Sequence, residues 1–356
     1  MNVLSLFDGM SCGQQALQRA GFKIENYFAS EIDKYAIQVT MANFPNTKQL
    51  GSVVNVDGYS LPKIDILIGG SPCQSFSFAG KRKGMSTKDE QEILTLEHYL
   101  QLKSEGFEFE GQSYLFWEYM RLLNETKPKY FLLENVMMGE KWEKVLSKAI
   151  GVKPIMINSA LLSAQNRQRL YWTNIGLEPG GLFGDLESII NQPKDKGILL
   201  KDVLESDVDE KYFISQRMID SFNIKTNHYK SLGGGFEFQP TEGDRKGRTL
   251  TNPAKNRMDD NWIICHNTMP RSSKSGKGGS GHLYRTDGRT YCLDTGTTNA
   301  IENSRGIRRL TPLECERLQT VADNYTNHVS DSQRYKMLGN GWTVDVIVHI
   351  LNYINK

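Results

Sequence analysis

Residues 1–32 read MNVLSLFDGMSCGQQALQRAGFKIENYFASEI. Val3–Phe7 is a compact apolar run of strand length, and it breaks at Asp8-Gly9. Small residues then turn the chain into GQQALQRA (13–20), which has helical spacing. Asn26–Ser30 reads as a second strand, closed by Glu31. Strand, helix and strand in so short a span form a crossover unit, which demands parallel strands with the helix laid across one face.

The alternation continues outward from this unit. Lys34–Phe44 puts Tyr35, Val39 and Ala42 on one helical face, and Ile64–Ile68 is a third strand that ends in Gly69-Gly70. Leu115–Leu123 reads as a helix that stops before Pro128, and Tyr130–Leu133 as a strand. Ile155–Asn158 and Leu170–Ile175 are further strand candidates. The expected class is α/β, a Rossmann-like parallel sheet covered by helices. The texture changes near Pro179-Gly180-Gly181, and as far as Arg305 the chain is rich in Gly, Ser, Thr, Asn and Lys/Arg. Helical order returns at Thr311, where TPLE offers an N-cap, a proline at the first helical position and a glutamate three residues after the cap. Thr343–Ile354 is again apolar and helical. The expected organisation is one domain from 1–178 plus 307–356, with a smaller, irregular domain, 179–306, inserted into it.

Charge divides along the same line. Residues 245–289 hold ten basic side chains against three acids, a local +7 that leaves the rest of the chain at −5 within a net charge of +2. A charge run is often only a solvated face, but basic Gly-rich loops also suit phosphate contacts. The near-zero total argues against a protein that coats nucleic acid indiscriminately. No apolar run approaches a membrane span, and the N-terminus lacks the basic region of a signal peptide. The cysteines Cys12, Cys73, Cys265, Cys292 and Cys315 are odd in number and contain no C-x-x-C pair, which disfavours both a disulfide framework and a zinc site. The chain reads as intracellular and reduced.

Five stretches carry chemical possibilities. In SLFDGMSCGQ (5–14) the glycine spacing is G-x-x-x-G, so a pyrophosphate is disfavoured, while Glu31 stands where an acid takes ribose hydroxyls in nucleoside-binding sheets. A cofactor without phosphates, such as S-adenosylmethionine, fits such an acidic loop; an ordinary strand–helix turn would look the same. GGSPCQSFSFAG (69–80) follows a strand, and Pro72 with the small residues around it leaves the Cys73 thiol accessible as a nucleophile. The other cysteines read as small buried hydrophobes. In FLLENV (131–136) Glu134 ends an apolar strand, where a partly desolvated carboxyl group suits a protonated donor; a helix-capping acid is the alternative. In AQNRQRLYW (164–172) Gln165, Arg167 and Arg169 share one face if the segment is extended, facing either a polar ligand or a salt-bridged surface. LGNGWTVDVI (338–347) reads as a Gly-Asn-Gly turn opening a helix, or as a wall beside the cofactor.

Taken in this order, the five motifs resemble the DNA (cytosine-5)-methyltransferase family over roughly 1–178 and 307–356, and RRLTPLECERLQ (308–319) resembles a sixth segment of that family. The resemblance implies a Rossmann-like methyltransferase sheet with an inserted target-recognition domain. It implies that Cys73 attacks C6 of a cytosine flipped out of double-stranded DNA, and that C5 takes a methyl group from S-adenosylmethionine, leaving S-adenosylhomocysteine. Glu134 would hold N3 and the exocyclic amine, Arg169 would contact O2, and Arg167, with Gln165 in the same motif, would anchor the catalytic loop or a phosphate. For the cofactor it implies Phe7 against the adenine and Asp8, Gly9 and Gly13 at the methionine end. Glu31 would take the ribose and Ile32 would pack on the adenine, with Pro72, Leu115, Asn340, Gly341 and Trp342 as walls. The family places an acid for the adenine amine where this chain has Ser52, with Asp57 nearby. Ser75, Ser77, Lys81, Arg82 and Lys83 suit phosphate contact and closure of the catalytic loop, and Arg248-Thr249-Leu250 resembles a Thr-Leu element of recognition domains.

The enzyme implied is a sequence-specific modification methyltransferase or a solitary phage-type one. It would need no metal and no membrane, would act as a monomer in the cytoplasm of a bacterial or phage-infected cell, and could have a separate restriction endonuclease as counterpart. A tRNA cytosine-5 methyltransferase would lack so large an insert. A catalytically dead relative would be expected to lose Cys73, Glu134 or the Asp8/Glu31 pair.

Overall fold

The computed structural model describes residues 1–72, 92–109, 111–180, 185–213, 215, 217, 264–267, 283–285, 289–291, 293, 299–303 and 306–354. Its centre is a seven-stranded sheet of order β3-β2-β1-β4-β5-β8-β6. The strands are β1 (Asn2–Leu6), β2 (Asn26–Ser30), β3 (Lys48–Gln49), β4 (Ile66–Gly70), β5 (Tyr130–Val136), β6 (Ile155–Asn158) and β8 (Gln168–Thr173), with the short β7 (Gln165–Asn166) just before β8.

The near-continuous apolar runs follow from burial on both faces of the sheet. Val3, Ile66, Ile68 and Leu132 face a core shared with helix α1 (Cys12–Arg19) and the last helix, α8 (Val344–Leu351). Leu4, Leu6, Leu67 and Leu133 face a second core built with α4 (Phe116–Thr126) and α5 (Glu140–Ile150). Helices α2 (Lys34–Asn43) and α3 (Leu96–Ser104) complete the first half of the chain. Because α8 packs on α1, the end of the chain belongs to the layer that its first crossover begins.

One strand departs from the parallel expectation. β1, β2, β3, β4 and β5 run parallel, but β8 is antiparallel to β5, with Val136 opposite Arg169 and Glu134 opposite Tyr171. The reversal has a consequence for chemistry. A ligand in such a fold meets the carboxyl ends of the parallel strands. A reversed strand brings its beginning to that edge, so Arg169 joins the ends of β1, β2, β4 and β5.

Beyond the sheet, β9 (Leu177–Gly180) pairs with β10 (Asp185–Ser188), and β13 (Thr290–Tyr291) runs beside β7. A separate sheet has the order β12-β11-β14-β15, with β11 Ile264–Asn267, β12 Leu283–Arg285, β14 Asn299–Asn303 and β15 Gly306–Arg309. It leads into α6 (Pro312–Leu318), which starts on the expected cap: Glu314 N donates to Thr311 Oγ1 and Thr311 N to Glu314 Oε2. Glu314 is also clasped by the buried Arg308, at 2.7 and 2.8 Å. α7 (Asp331–Asn340) follows. Gly339 and Asn340 therefore close a helix rather than forming a turn that opens one; the break lies at Gly341–Thr343, and α8 begins only at Val344.

Candidate active site

The loop after β1 is tightly wound. Phe7, Gly9 and Ser11 all have positive φ (57°, 57° and 63°), a conformation that costs free energy at the two non-glycine positions and is found where a site is being shaped. Glu31, at the end of β2, ties the loop down by accepting from Gly9 N (2.8 Å), Ile32 N (2.7 Å) and Asp33 N (2.8 Å). Beside it Ile32 is 71% exposed, an apolar side chain largely without protein cover. Asp8 turns its carboxylate inward, where Tyr27 OH and Ser11 Oγ each donate at 2.7 Å. Burial pushes the Asp8 carboxyl up to about 6, against the hydrogen bonds that favour its charged form. The neighbouring Cys12 thiol is buried and pushed up to about 12, so it stays protonated.

This loop suits a nucleoside without phosphates. Two carboxylates would repel a pyrophosphate, the space beside the Gly9 Cα is open, and Ile32 offers a surface for a base. Gly13 does different work: a Cβ there would lie 2.3 Å from Ile68 Cδ1, so its place is the close packing of α1 on the sheet. Leu115 ends the short turn before α4 and packs on the core beneath that helix. Ser52 precedes a turn, Val53–Asn55, that it does not cap with its side chain, while Ser30 Oγ holds the carbonyl of Gly51 at 2.8 Å. Asp57 is engaged elsewhere, accepting from Tyr59 N at 3.0 Å.

The second cluster lies at the ends of β4, β5 and β8. Gly70 is opposite Glu134. A Cβ on Gly70 would stand 3.0 Å from Trp342 Nε1 and 3.1 Å from Glu134 Oε2, so the three groups converge on one point. Arg169 Nε lies 3.0 Å from Glu134 Oε1, and both side chains keep a small exposed fraction. Ser71 is buried, and its hydroxyl and carbonyl both accept from Asn135 Nδ2. Ser71 and Pro72 lead to Cys73, which lies outside the described residues, as do Ser75, Ser77, Lys81, Arg82, Lys83, Arg248 and Thr249.

Gln165 and Arg167 do not accompany Arg169 to the open edge. Both are buried. Gln165 donates to Leu318 O and Gln319 Oε1, each at 2.8 Å, and accepts from Leu293 N. Arg167 donates to the carbonyls of Gly339 and Gly341. They hold the stretch that carries Trp342, whose ring also approaches Gly13. Gly341 packs against Met10 and Cys12, and Asn340 is exposed. Spacing and periodicity do not single out the supporting residues Tyr27, Ser71, Asn135, Gln319 and Thr343. Ser71, Asn135, Gln319 and Thr343 lie inside the motif stretches, but nothing in the sequence marks Tyr27, which is a strand residue like its neighbours.

Among the described residues no group of His, Cys, Asp and Glu is placed to hold a metal ion, and no helix is long and apolar enough to cross a membrane.

The chain resembles known proteins along its whole length. The model of the C-5 cytosine-specific DNA methylase family matches residues 1–356. The type II methyltransferase M1.ScrFI of Lactococcus lactis subsp. cremoris is 29% identical over 345 residues, covering 92% of this chain and 72% of that protein. The orphan methyltransferase M.SPRI of Bacillus phage SPR is 27% identical over 456 aligned residues, covering 100% and 99%. In fold, DNMT2 of Spodoptera frugiperda superposes with a TM-score of 0.60 at 19% identity, over 100% of this chain and 99% of that one. With Asp8, Glu31, Glu134 and Arg169 at the ends of neighbouring strands and the family model matched from end to end, the chain belongs to the C-5 cytosine-specific DNA methylases, enzymes that draw their methyl group from S-adenosylmethionine.

Proposed function

We propose that the chain methylates C5 of a cytosine in a fixed double-stranded DNA sequence, on a base rotated out of the helix. The observation that carries this reading is the Glu134–Arg169 pair, with Glu134 set across from Gly70, which precedes Cys73 by three residues. Cytosine C5 is a poor nucleophile. Bonding of the Cys73 thiolate to C6 shifts the C5=C6 electron pair toward C5. A carboxyl group at N3 and the exocyclic amine, with a guanidinium at O2, offsets the charge that develops on the ring. Glu134 and Arg169 are the right groups, already in contact, to face one side of a pyrimidine. S-adenosylmethionine supplies the electrophilic methyl group, whose bonding pair stays on sulfur. Loss of the C5 proton to solvent then restores the double bond and expels Cys73 as thiolate. None of these atoms can be reached inside a stacked duplex, hence the flipped base.

In the same reading Glu31 takes the ribose and Phe7, Ile32 and Ser52 enclose the adenine. Asp8 and Gly9 border the methionine end, and Pro72, Leu115, Asn340, Gly341 and Trp342 complete the walls. Gly13 contributes through α1 packing, and Gln165 and Arg167 through the backbone beneath Trp342. Residues 179–306 form the recognition domain, with Arg248 and Thr249 reading DNA and Ser75, Ser77, Lys81, Arg82 and Lys83 contacting the phosphates near the target. One chain holds every part, so it acts as a monomer in the cytoplasm, with or without a separate endonuclease.

The test is labelled S-adenosylmethionine with unmodified genomic DNA and with tRNA, followed by base-resolution mapping. Label at C5 in one DNA context is expected; label confined to tRNA, or none, overturns the reading. Cys73→Ser is expected to abolish turnover with cofactor binding intact, and turnover retained by that variant would refute the covalent route.

A further inference from the structure

α3 belongs to the long segment between the nucleophile motif and α4, to which the reaction assigns no part. Besides apolar packing by Leu102, it meets α4 at a buried carboxylate. Glu118, on α4, is fully buried and accepts from Tyr99 OH and Lys103 Nζ of α3, both at 2.5 Å, and from Arg121 Nε at 2.7 Å. Arg121 in turn reaches into the loop after β3. It donates to Val53 O at 3.1 Å and Val56 O at 2.9 Å, the two ends of one turn of that loop. Its guanidinium also pairs with Glu125, at 2.8 Å, and Glu125 accepts from Gly58 N at 2.9 Å. Tyr99 is locked by a ring cluster with Phe109 and Tyr114.

Charge accounting makes the α3 contribution specific. α4 by itself holds two carboxylates, Glu118 and Glu125, against one guanidinium. A buried carboxylate left half-compensated is costly, and Arg121 would be drawn to it at the expense of the Val53 and Val56 carbonyls. Lys103 supplies the missing positive charge and Tyr99 a further donor, which frees the guanidinium to hold the loop. We propose that α3 is a positioning element for the Ser52–Gly58 loop, acting through Glu118 and Arg121, with Lys103 and Tyr99 as its working residues. This rests on the reading above in which Ser52 borders the adenine.

The test uses the full chain with Lys103→Met, Tyr99→Phe and Lys103→Arg. Two quantities are followed: hydrogen exchange of the 50–58 amides, and KM for S-adenosylmethionine set against kcat and DNA affinity. Lys103→Met is expected to speed exchange in that loop and to raise KM about tenfold, the effect of cutting one coupled charge pair, with kcat and DNA affinity unchanged. Tyr99→Phe should do the same to a smaller degree, and Lys103→Arg should restore both. Unchanged exchange and unchanged KM overturn the inference alone. Faster exchange with unchanged KM overturns the placing of the loop at the adenine, and the inference with it. An equal fall in kcat and DNA affinity would assign α3 to another part of the enzyme.

Discussion

Asn135 Nδ2 donates to both the hydroxyl of Ser71, at 3.0 Å, and its carbonyl, at 3.3 Å, and so fastens the last buried residue before Pro72-Cys73 to the strand that carries Glu134. Its own Oδ1 accepts from Val136 N at 2.8 Å, which fixes the side chain's orientation.

Asn135→Ala removes that fastening and leaves two buried acceptors on Ser71. We expect a loss of about 1–3 kcal/mol in urea unfolding, the usual cost of orphaned buried polar groups. With Cys73 as the proposed nucleophile, we also expect kcat to fall by at least about tenfold, because a nucleophile held loosely loses near-attack geometry. Cofactor affinity should not change. An Asn135→Ala enzyme with full kcat would mean that this anchor does not position Cys73.

Gly70→Ala places a methyl group where Trp342 and Glu134 meet. Gly70 is paired with Glu134 of β5 and the residue before it with Leu6 of β1, so the backbone has little room to retreat. One of the two side chains must give by a few tenths of an ångström, and kcat/KM should drop, by less than the about hundredfold expected for a catalytic group misplaced by a full ångström. Trp342→Phe in the same chain removes the indole nitrogen. The double variant should therefore recover part of the loss in a steady-state methyl-transfer assay; a strictly additive double variant would show that the crowding is elsewhere.

The fold was legible wherever burial is two-sided and local. Apolar runs and spacing alone mark the strand Asn26–Ser30 and the helix starting at Lys34, because β1 and its neighbours are covered on both faces. The reversal of β8 was not legible. Its residues alternate as they would in a parallel strand, and direction is set by the short connection from β6, not by composition. The same limit applies to Gln165 and Arg167. Alternation groups them with Arg169, but whether such a face meets a ligand or backbone carbonyls depends on Gly339 and Gly341, far along the chain. The Asp8/Glu31 pair stood out because each carboxylate directly follows an apolar strand. Glu118 did not, since an acid within a helix usually faces solvent.

Asp8 gives a pH dependence with a definite sign. Its carboxyl is raised to about 6 in the folded chain, above the ordinary value near 4 in the unfolded one. Between those values the folded state keeps a proton that the unfolded state has lost, so the contribution to stability is full below about 4 and is lost as pH rises to about 6. Asp8→Asn should flatten this part of the stability profile in urea melts taken from pH 4 to 8. At pH 8 it should also raise the stability of the free protein, by no more than about 3 kcal/mol. A profile for Asp8→Asn that parallels the wild type would assign the dependence to other groups.

Gln319 is the hub of the interior beneath Trp342. Its Oε1 accepts from Gln165 Nε2 and Thr343 Oγ1, both at 2.8 Å, and its Nε2 donates to Leu338 O at 2.7 Å and Gly341 O at 3.2 Å. Three of the four bonds are buried and the fourth, to Gly341 O, is partly so, and they join β7, the end of α6, the end of α7 and the start of α8. Gln319→Glu keeps the shape and loses the donors, setting a carboxylate against two carbonyls. It should destabilise the protein more than Gln319→Met, which removes the polar pair but fills the volume. Because Gln165 and Gln319 share one bond and one enclosure, Gln165→Met and Gln319→Met should couple by about 0.5–3 kcal/mol in a double-mutant cycle of urea unfolding. Thr343→Val should couple to Gln319→Met in the same way, whereas Lys48→Met, on the far edge of the sheet, should be additive with both. Additivity throughout would mean that the four elements are held together by packing alone, and that Trp342 owes its place beside Gly70 to the apolar contacts of α8 on α1.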